Sequence, residues 1–133
     1  MSKMNPVVHF EMAAEDSKRM SDFYSSAFGW RTQQLGPEMG NYIIALTTET
    51  DEKGMIQKQG HINGGFYQKT EDPIMNYPSV VIEVDDIKET IEKIKNAGGK
   101  ILGESMPIPG VGEYVAFIDT EGNRNSILQP ISM

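Results

Sequence analysis

The chain contains no cysteine and carries little positive charge. The lack of cysteine excludes disulfide bridges, thiolate metal sites and a cysteine nucleophile. The sequence has 12 Lys and Arg against 19 Asp and Glu, a formal net charge of −7, which argues against general binding to nucleic acid or to anionic membranes. We therefore expect neither nucleic acid nor a membrane among the partners of this protein.

Long apolar runs and several common catalytic signatures are also absent. No run approaches the roughly 20 apolar residues that a helix needs to span a bilayer. The first ten residues, MSKMNPVVHF, lack the apolar region of a signal peptide, so we expect a cytoplasmic location. The sequence has no G-x-S-x-G elbow and no Walker A motif, and Gly110-Val111-Gly112 lacks the third glycine of a dinucleotide-binding loop.

The residues that are present form an internal repeat. A chain of 133 residues with 38% apolar content fits one folded domain, or two half-sized modules that share a core. Four pairs of residues typical of caps and turns are each separated by 70 positions in the sequence: Asp16 and Asp86, Gly29 and Gly99, Pro37 and Pro107, Gly40 and Gly110. Four coincident pairs predict a duplicated structural unit.

Each half contains one well-marked helix. Asp86, with Glu89 three residues later, is a capping-box pattern, and isoleucines then recur on one helical face. Asp16 begins the first helix, whose apolar residues predict a buried stripe of Met20, Phe23, Tyr24 and Ala27. Short β-like runs precede and follow both helices. The sequence therefore predicts an α+β domain over residues 1–133, with one β-α-β-β-β module at about 5–68 and another at about 78–131.

The first module carries about ten residues more than the second, around positions 48–60. This polar segment is either a solvated loop, or a lid over a pocket or an arm to a second subunit.

A series of short motifs extends over nearly the whole chain: His9 seven residues before Asp16, Phe23-Tyr24, Phe28-Gly29-Trp30, Ile62-Asn63-Gly64-Gly65, Glu83-Val84-Asp85-Asp86-Ile87, Ala97-Gly98-Gly99 and Asp119-Thr120-Glu121-Gly122-Asn123. These motifs, in this order, resemble the vicinal oxygen chelate superfamily, which includes glyoxalase I, extradiol dioxygenases and bleomycin-resistance proteins. The resemblance is closest to small single-domain glyoxalase-like proteins.

The resemblance implies a fold and a position for chemistry. In the family, two βαβββ modules curl into an incompletely closed β-barrel around a cavity, within one chain or across a dimer, and family habit favours a homodimer. The metalloenzymes bind a divalent metal there, with one ligand from the first strand and one from the last strand of each module, and the metal stabilises negative charge on the substrate.

Counting from the helix caps and turn glycines places the four implied ligand positions at His9, Gly64, Ser79 and Ser126. Glycine offers no side chain and serine hydroxyls are weak neutral ligands, so this set does not make an ordinary transition-metal site. We therefore expect no metal cofactor, and keep as an alternative an atypical set in which His9 is joined by Glu11 and Glu83.

His9, Glu11 and Glu83 are the candidate catalytic residues. Strand side chains alternate, so His9 and Glu11 share one face of their strand and can serve as proton acceptors if they line a cavity. The alternative is a core histidine and two strand-end carboxylates in water. The candidate ligand-binding residues are His9, Trp30, Gly64, Phe66, Ser79, Val81, Tyr114 and Ser126, although aromatic residues in such positions more often belong to the core. The Gly64-Gly65 pair indicates a bulge or a close backbone approach by a ligand.

Three functions follow from these alternatives. The first is a metal-independent protein that binds a small organic ligand in the barrel cavity. The second is a metal-free lyase or isomerase that uses His9 with Glu11 or Glu83. The third is a metal-dependent relative of the lactoylglutathione lyases or dioxygenases with an atypical ligand set.

Overall fold

A computed structural model of the protein describes residues 4–131. The chain divides into two compact units. Unit one spans His9–Pro78, and unit two joins the segment that ends at Val8 to the chain from Ser79 onward. Within residues 4–131, no helix has both the length and the apolar character needed to cross a bilayer.

Unit one contains a four-stranded sheet with one α-helix. Its strands follow the order β2-β3-β4-β1, in which β4 pairs in parallel with β1 and the other neighbours are antiparallel. The strand β1 begins two residues before the unit does. The elements are β1 (Val7–Ala14), α1 (Ser17–Phe28), β2 (Arg31–Gln34), β3 (Ile43–Leu46) and β4 (Asn63–Gln68), with short 3-10 helices at Pro37–Met39 and Pro73–Asn76.

Unit two repeats this order of elements and this pairing. Its sheet runs β5-β8-β7-β6, with β5 and β8 parallel and the remaining pairs antiparallel. The elements are β5 (Ser79–Glu83), α2 (Ile87–Asn96), β6 (Lys100–Ile108), β7 (Gly112–Ile118) and β8 (Arg124–Pro130). The predicted α+β class and the duplicated β-α-β-β-β order are confirmed.

The helix caps predicted from the repeat are present in both units. The Asp16 carboxylate accepts a hydrogen bond from the backbone N–H of Arg19 at 3.0 Å, and that of Asp86 accepts one from Glu89 at 3.1 Å. These bonds satisfy backbone donors that the first helical turn leaves without an intrahelical partner. Gly29 ends α1 at a φ of 73°, a conformation that glycine adopts without steric cost.

Each unit has its own apolar core. In unit two, α2 covers a cluster of Val84, Ile87, Val115, Phe117 and Ile127. In unit one the buried residues are Ile43, Ala45 and Phe66, against which partly buried Phe10, Met12, Met20, Tyr24 and Trp30 pack.

The predicted buried stripe on α1 is only half right. Met20 and Tyr24 pack against the core, but Phe23 is 57% exposed and Ala27 is also exposed. The ring of Tyr24 stacks on Trp30 with centroids 4.6 Å apart, and this pair fills the space between the helix and the sheet. Phe23 therefore lies outside the pair, with its edge against the Tyr24 ring.

The contribution of the Asp86 cap to the stability of α2 can be tested by mutation. Replacing Asp86 with alanine removes the acceptor for the Glu89 N–H and should lower the free energy of unfolding by about 1 kcal/mol. Asp86→Asn keeps a capping side chain and should cost much less. Urea denaturation of the two variants measures both effects, and equal losses would show that the side chain does not act as a cap.

Candidate functional site

Three polar side chains of unit one meet at a single hydroxyl group. His9 and Glu11 lie two residues apart on β1 and therefore point to the same face, while Tyr42 directly precedes β3. The Tyr42 oxygen lies 3.0 Å from His9 Nε2, and its O–H donates to Glu11 Oε2, also at 3.0 Å. Glu11 is 8% exposed and His9 is half-buried. We call this arrangement the His9–Tyr42–Glu11 relay.

The direction of these hydrogen bonds assigns the His9 tautomer. Because the Tyr42 proton points to the carboxylate, the phenol oxygen accepts from His9, so Nε2 carries the imidazole proton and Nδ1 carries the lone pair. Burial lowers the pKa of His9 below its usual 6.5, although the nearby Glu11 carboxylate acts in the opposite direction. At neutral pH His9 is therefore a neutral imidazole, able to accept a proton at Nδ1.

Gly65 makes room for the relay. It pairs with Glu11 on β1 and with Ile44 on β3, and a Cβ atom placed on it would lie 2.0 Å from the Tyr42 hydroxyl oxygen. A Cβ on Gly64 would likewise meet the Phe10 ring at 2.5 Å. The pairing of β1 with β4 is continuous from His9 to Ala14, so of the two alternatives for Gly64-Gly65 the bulge is wrong. The two glycines instead allow two side chains to pass close to the backbone.

Unit two has a second network around a buried arginine. The Arg124 guanidinium donates from Nη1 to Ser79 Oγ at 3.1 Å and from Nη2 to the Tyr114 hydroxyl at 3.2 Å. The Tyr114 oxygen lies 2.6 Å from Ser126 Oγ. Arg124 is 8% exposed, Ser79 is 6% exposed and Ser126 is fully buried. We call this arrangement the Arg124 network.

Strand registers show which residues of the two units are equivalent. In unit one Glu11 pairs with Gly65, and Gly65 pairs with Ile44; in unit two Val81 pairs with Ser126, and Ser126 pairs with Ala116. Ser126 is therefore equivalent to Gly65, and the sequence count that assigned this position to Gly64 is off by one. The tyrosines are equivalent too, since Tyr42 and Tyr114 each lie two residues before the β3 and β7 partners of Gly65 and Ser126.

These residues do not fit the divalent metal that the resemblance implies. His9 Nε2 is bonded to Tyr42, Gly65 has no side chain, Ser79 accepts from a guanidinium cation, and Ser126 contacts a phenol. In the part of the chain between residues 4 and 131, no three His, Asp or Glu side chains lie close enough together to hold a metal ion. Neither network offers the set of lone pairs that such an ion requires.

The other predicted site residues have different surroundings. Glu83, at the end of β5 in unit two, is half-buried, and its backbone N–H donates to Pro6. Phe66 and Val81 are buried, 1% and 3% exposed, and Trp30 stacks on Tyr24. Phe66 and Trp30 belong to the apolar packing of unit one, as the core alternative predicts.

Sequence reasoning missed Arg124 and the bridging position of Tyr42. Both left a signal. Tyr42 and Tyr114 begin similar β-like runs in the two repeats, and Arg124 lies two residues before Ser126, hence on the same strand face.

The inserted segment at 48–60 is exposed along most of its length, as a loop, a lid or an arm would each be in a single chain. It contains one isolated antiparallel bridge, Thr50 to Ile56. Both ends of it border a surface groove of about 250 Å³ in unit one, lined by Gly29, Arg31, Leu46, Thr47, Thr48, Glu49, Lys58 and His61. His61 is exposed, as predicted, and its Nδ1 lies 2.9 Å from the Thr48 hydroxyl.

Gly65→Ala tests the space that the relay needs. The new methyl group would overlap the Tyr42 hydroxyl, so we expect the ring to move and the variant to lose about 1–3 kcal/mol of stability, as for overpacking and a broken hydrogen bond. Tyr42→Phe should lose a similar amount, whereas Tyr77→Phe, at a site 67% exposed, should be neutral. The new Cβ would also lie 2.1 and 2.2 Å from ring carbons of Tyr42, which Tyr42→Phe retains. If Gly65→Ala destabilises a Tyr42→Ala background as much as the wild type, the overlap is not with the Tyr42 side chain.

Acidification tests the state of His9. A lowered pKa means that the folded protein binds this proton less readily than the unfolded chain. Neutral His9 therefore contributes its full share of the folding stability above pH 6.5, the pKa of histidine in the unfolded chain. This contribution is lost as the pH falls from 6.5 through the lower pKa of His9 in the folded protein. Between about pH 7.5 and about pH 5 the wild type should lose more stability than His9→Gln, which keeps a donor for Tyr42. Parallel pH series of urea unfolding would contradict the assignment if the two proteins lost equal stability.

Comparisons with known proteins match this architecture. The family model of the Glyoxalase/Bleomycin resistance protein/Dioxygenase superfamily matches residues 7–127. A glyoxylase-like domain-containing protein of Didymella fabae is 33% identical over 119 residues, which cover 88% of each chain. A lactoylglutathione lyase of Haemophilus influenzae is 27% identical over 115 residues, covering 85% of this chain and 83% of that one. Several longer curated relatives are matched over only 26% to 43% of their own length.

Solved structures support the same assignment at the level of the fold. The methylmalonyl-CoA epimerase of Streptomyces coelicolor superposes with a TM-score of 0.67 at 14% identity, over 98% of this chain and all of that one. At this identity the similarity shows a shared fold and nothing about activity. Taken with the match of the family model over most of the sequence, it places the chain in the Glyoxalase/Bleomycin resistance protein/Dioxygenase superfamily.

Proposed function

We propose that this protein binds a small organic ligand and moves a proton on it without a metal ion, as a lyase or an isomerase does. The observation that carries the proposal is the Tyr42 hydroxyl, which joins His9 Nε2 and Glu11 Oε2 at 3.0 Å each. A positioned imidazole supported by a phenol and a carboxylate is suited to general acid–base catalysis.

His9 is the catalytic residue in this proposal. Its Nδ1 takes a proton from a carbon atom next to a carbonyl group, and the electron pair of the broken C–H bond moves onto the carbonyl oxygen. Return of the proton to the same carbon or to its neighbour completes an epimerisation or an isomerisation, so no oxidant or reductant is needed. The lowered pKa of His9 keeps the imidazole neutral and ready to accept at neutral pH.

Tyr42 and Glu11 act as positioning residues. They fix the ring of His9 in the tautomer whose lone pair is on Nδ1. When His9 becomes an imidazolium, its Nε2–H still donates to Tyr42, and the buried Glu11 carboxylate stabilises the new positive charge through that phenol.

The curated relatives support the class of reaction. One of them is a lactoylglutathione lyase, and we carry that class of chemistry to this chain as a proposal only. The donor set does not fit a divalent metal, so the protein's own residues have to supply the base.

A second candidate is a binding protein without turnover. The observation that favours it is that the residues at the implied ligand positions do not fit a divalent metal. A protein of this fold without such a metal can still bind a small ligand and catalyse no reaction on it. The homodimer, the cytoplasmic location and the module bounds stay predictions of the sequence.

Solvent exchange distinguishes the two candidates. In D2O, an enzyme that removes a proton next to a carbonyl exchanges it for deuterium even when the full reaction does not proceed. With S-lactoylglutathione as the probe, the wild type should replace the methine proton of the lactoyl group with deuterium, and the corresponding NMR signal should disappear. His9→Gln should lower the rate of this exchange at least about a hundredfold. The rate should fall as the pH is lowered through the His9 pKa.

The chain offers a matched control in its second histidine. His61→Gln changes an exposed ring outside the relay and should leave the exchange rate unchanged. Exchange that persists in His9→Gln would overturn the catalytic assignment. A probe that raises the melting temperature of the wild type but never exchanges would favour the binding protein.

A further inference from the structure

Asn63, the first residue of β4, lies directly opposite His9 in unit one. The parallel pairing of β1 with β4 makes the two residues partners, on strands about 4.8 Å apart. Asn63 lies two residues before Gly65, whose added Cβ would meet the Tyr42 hydroxyl, so its side chain leaves the sheet on the face that carries the relay. The Asn63 amide is therefore a neighbour of the His9 imidazole on one face of the sheet.

The orientation of the Asn63 amide is fixed by the backbone that follows β3. Asn63 Oδ1 accepts from the backbone N–H of Thr47 at 2.8 Å and from that of Thr48 at 3.2 Å. Both partners are donors, so the atom that faces them is the amide oxygen, and the NH2 group is on the other side of the planar amide. Within residues 4–131, neither Asn63 Nδ2 nor His9 Nδ1 has a hydrogen-bond partner. An unpaired donor and an unpaired acceptor therefore lie on adjacent strands.

The position equivalent to Asn63 in unit two also carries a donor. By the strand registers, Arg124 occupies in unit two the position that Asn63 has in unit one, and Ser79 corresponds in the same way to His9. Arg124 Nη1 donates to Ser79 Oγ at 3.1 Å. In the second copy of this scaffold, a donor on the last strand thus reaches the first-strand position, which supports the same approach in unit one.

Open space borders this part of unit one. Thr47 and Thr48, whose backbone N–H groups hold Asn63, also line the surface groove of about 250 Å³. Leu46 lines it too and, by alternation along β3, lies on the face of the sheet that carries the relay. Asn63 and His9 are themselves only partly buried. A small ligand can therefore reach the amide.

The proposed reaction creates a charge that needs such a donor. When His9 takes a proton from the carbon next to a carbonyl group, the electron pair of the C–H bond moves onto the carbonyl oxygen. A preorganised N–H donor bonds this oxygen more strongly as its negative charge grows, and this difference lowers the barrier. The donor keeps its own proton, so the proton taken from carbon stays on His9 until it returns to the ligand.

We infer that Asn63 is a second catalytic residue, whose Nδ2–H donates to the carbonyl oxygen of the ligand while His9 Nδ1 takes the proton. The backbone N–H groups of Thr47 and Thr48 position the amide. The inference rests on the proposed function for the reaction, and it defines the ligand as a carbonyl compound, such as a thioester, with a C–H bond on the neighbouring carbon.

Asn63→Asp separates the donor of this side chain from its acceptor. The carboxylate still accepts from the backbone of Thr47 and Thr48, but it offers no N–H group to the ligand. With S-lactoylglutathione in D2O, the variant should exchange the methine proton at least about a hundredfold more slowly than the wild type, as when one oxyanion donor is removed. The rates are compared on the high-pH plateau of each protein, where His9 is neutral.

Asn76→Asp is the matched control. Asn76 Oδ1 also accepts from a backbone N–H, that of Thr70 at 2.9 Å, but Asn76 lies beyond the other end of β4. This variant should exchange at the wild-type rate. If Asn63→Asp does so too while His9→Gln does not, the role of Asn63 is refuted and the proposed reaction stands.

A binding measurement tests the contact in the wild type and without turnover. When S-lactoylglutathione binds, the side-chain N–H signals of Asn63 in NMR spectra should move downfield, and the infrared stretch of a carbon-13-labelled thioester carbonyl should move to lower frequency. Both shifts should persist in His9→Gln, and the infrared shift should be lost in Asn63→Asp. Unshifted Asn63 signals with the probe bound, or no binding of the probe, would overturn the inference. Shifted signals without proton exchange would support the contact and refute the proposed reaction.

Discussion

The hydroxyl group of one tyrosine in each unit organises the polar residues around it, and this is possible only because of the residue on the neighbouring strand. Tyr42 reaches over β4 since Gly65 has no side chain there, and a single methyl group would fill the space. In unit two the equivalent position holds Ser126, whose short side chain contacts Tyr114 instead of yielding to it. Each tyrosine can therefore lie against the neighbouring strand only because the residue there, Gly65 or Ser126, is small.

The same scaffold carries opposite charges in its two copies. Tyr42 bonds to a carboxylate and a neutral imidazole, whereas Tyr114 bonds to a guanidinium and a serine. A tyrosine suits both sets of partners because its hydroxyl group both donates and accepts hydrogen bonds. The strands and helices are retained in both copies, so the difference lies in a few side chains whose strand positions are equivalent. The duplicated backbone places the two tyrosines at equivalent positions, and the neighbouring side chains determine which partners each hydroxyl group has.

The sequence predicted those parts of the structure that depend on neighbours along the chain. Asp16 and Asp86 cap their helices because a cap needs only the following turn, and the order of strands follows from the repeat. Prediction was less accurate where strands meet. Phe23 follows the helical pattern of a buried residue, but the Tyr24–Trp30 pair already fills the space. Counting from the turn glycines gave Gly64, because a count along one strand cannot reveal its register with the next.

The site residues were predicted in the same uneven way. His9 and Glu11 follow from strand alternation, but Tyr42 joins them from more than thirty residues away, and its role emerges only once β1, β4 and β3 are paired. Arg124 shows the limit more sharply. In the sequence it is one more charged residue after a turn, and charged residues after turns are usually solvated. Its burial beside two serines and a phenol reverses that expectation. A buried charge is costly unless polar groups hold it, and Ser79 and Tyr114 each accept a hydrogen bond from this guanidinium.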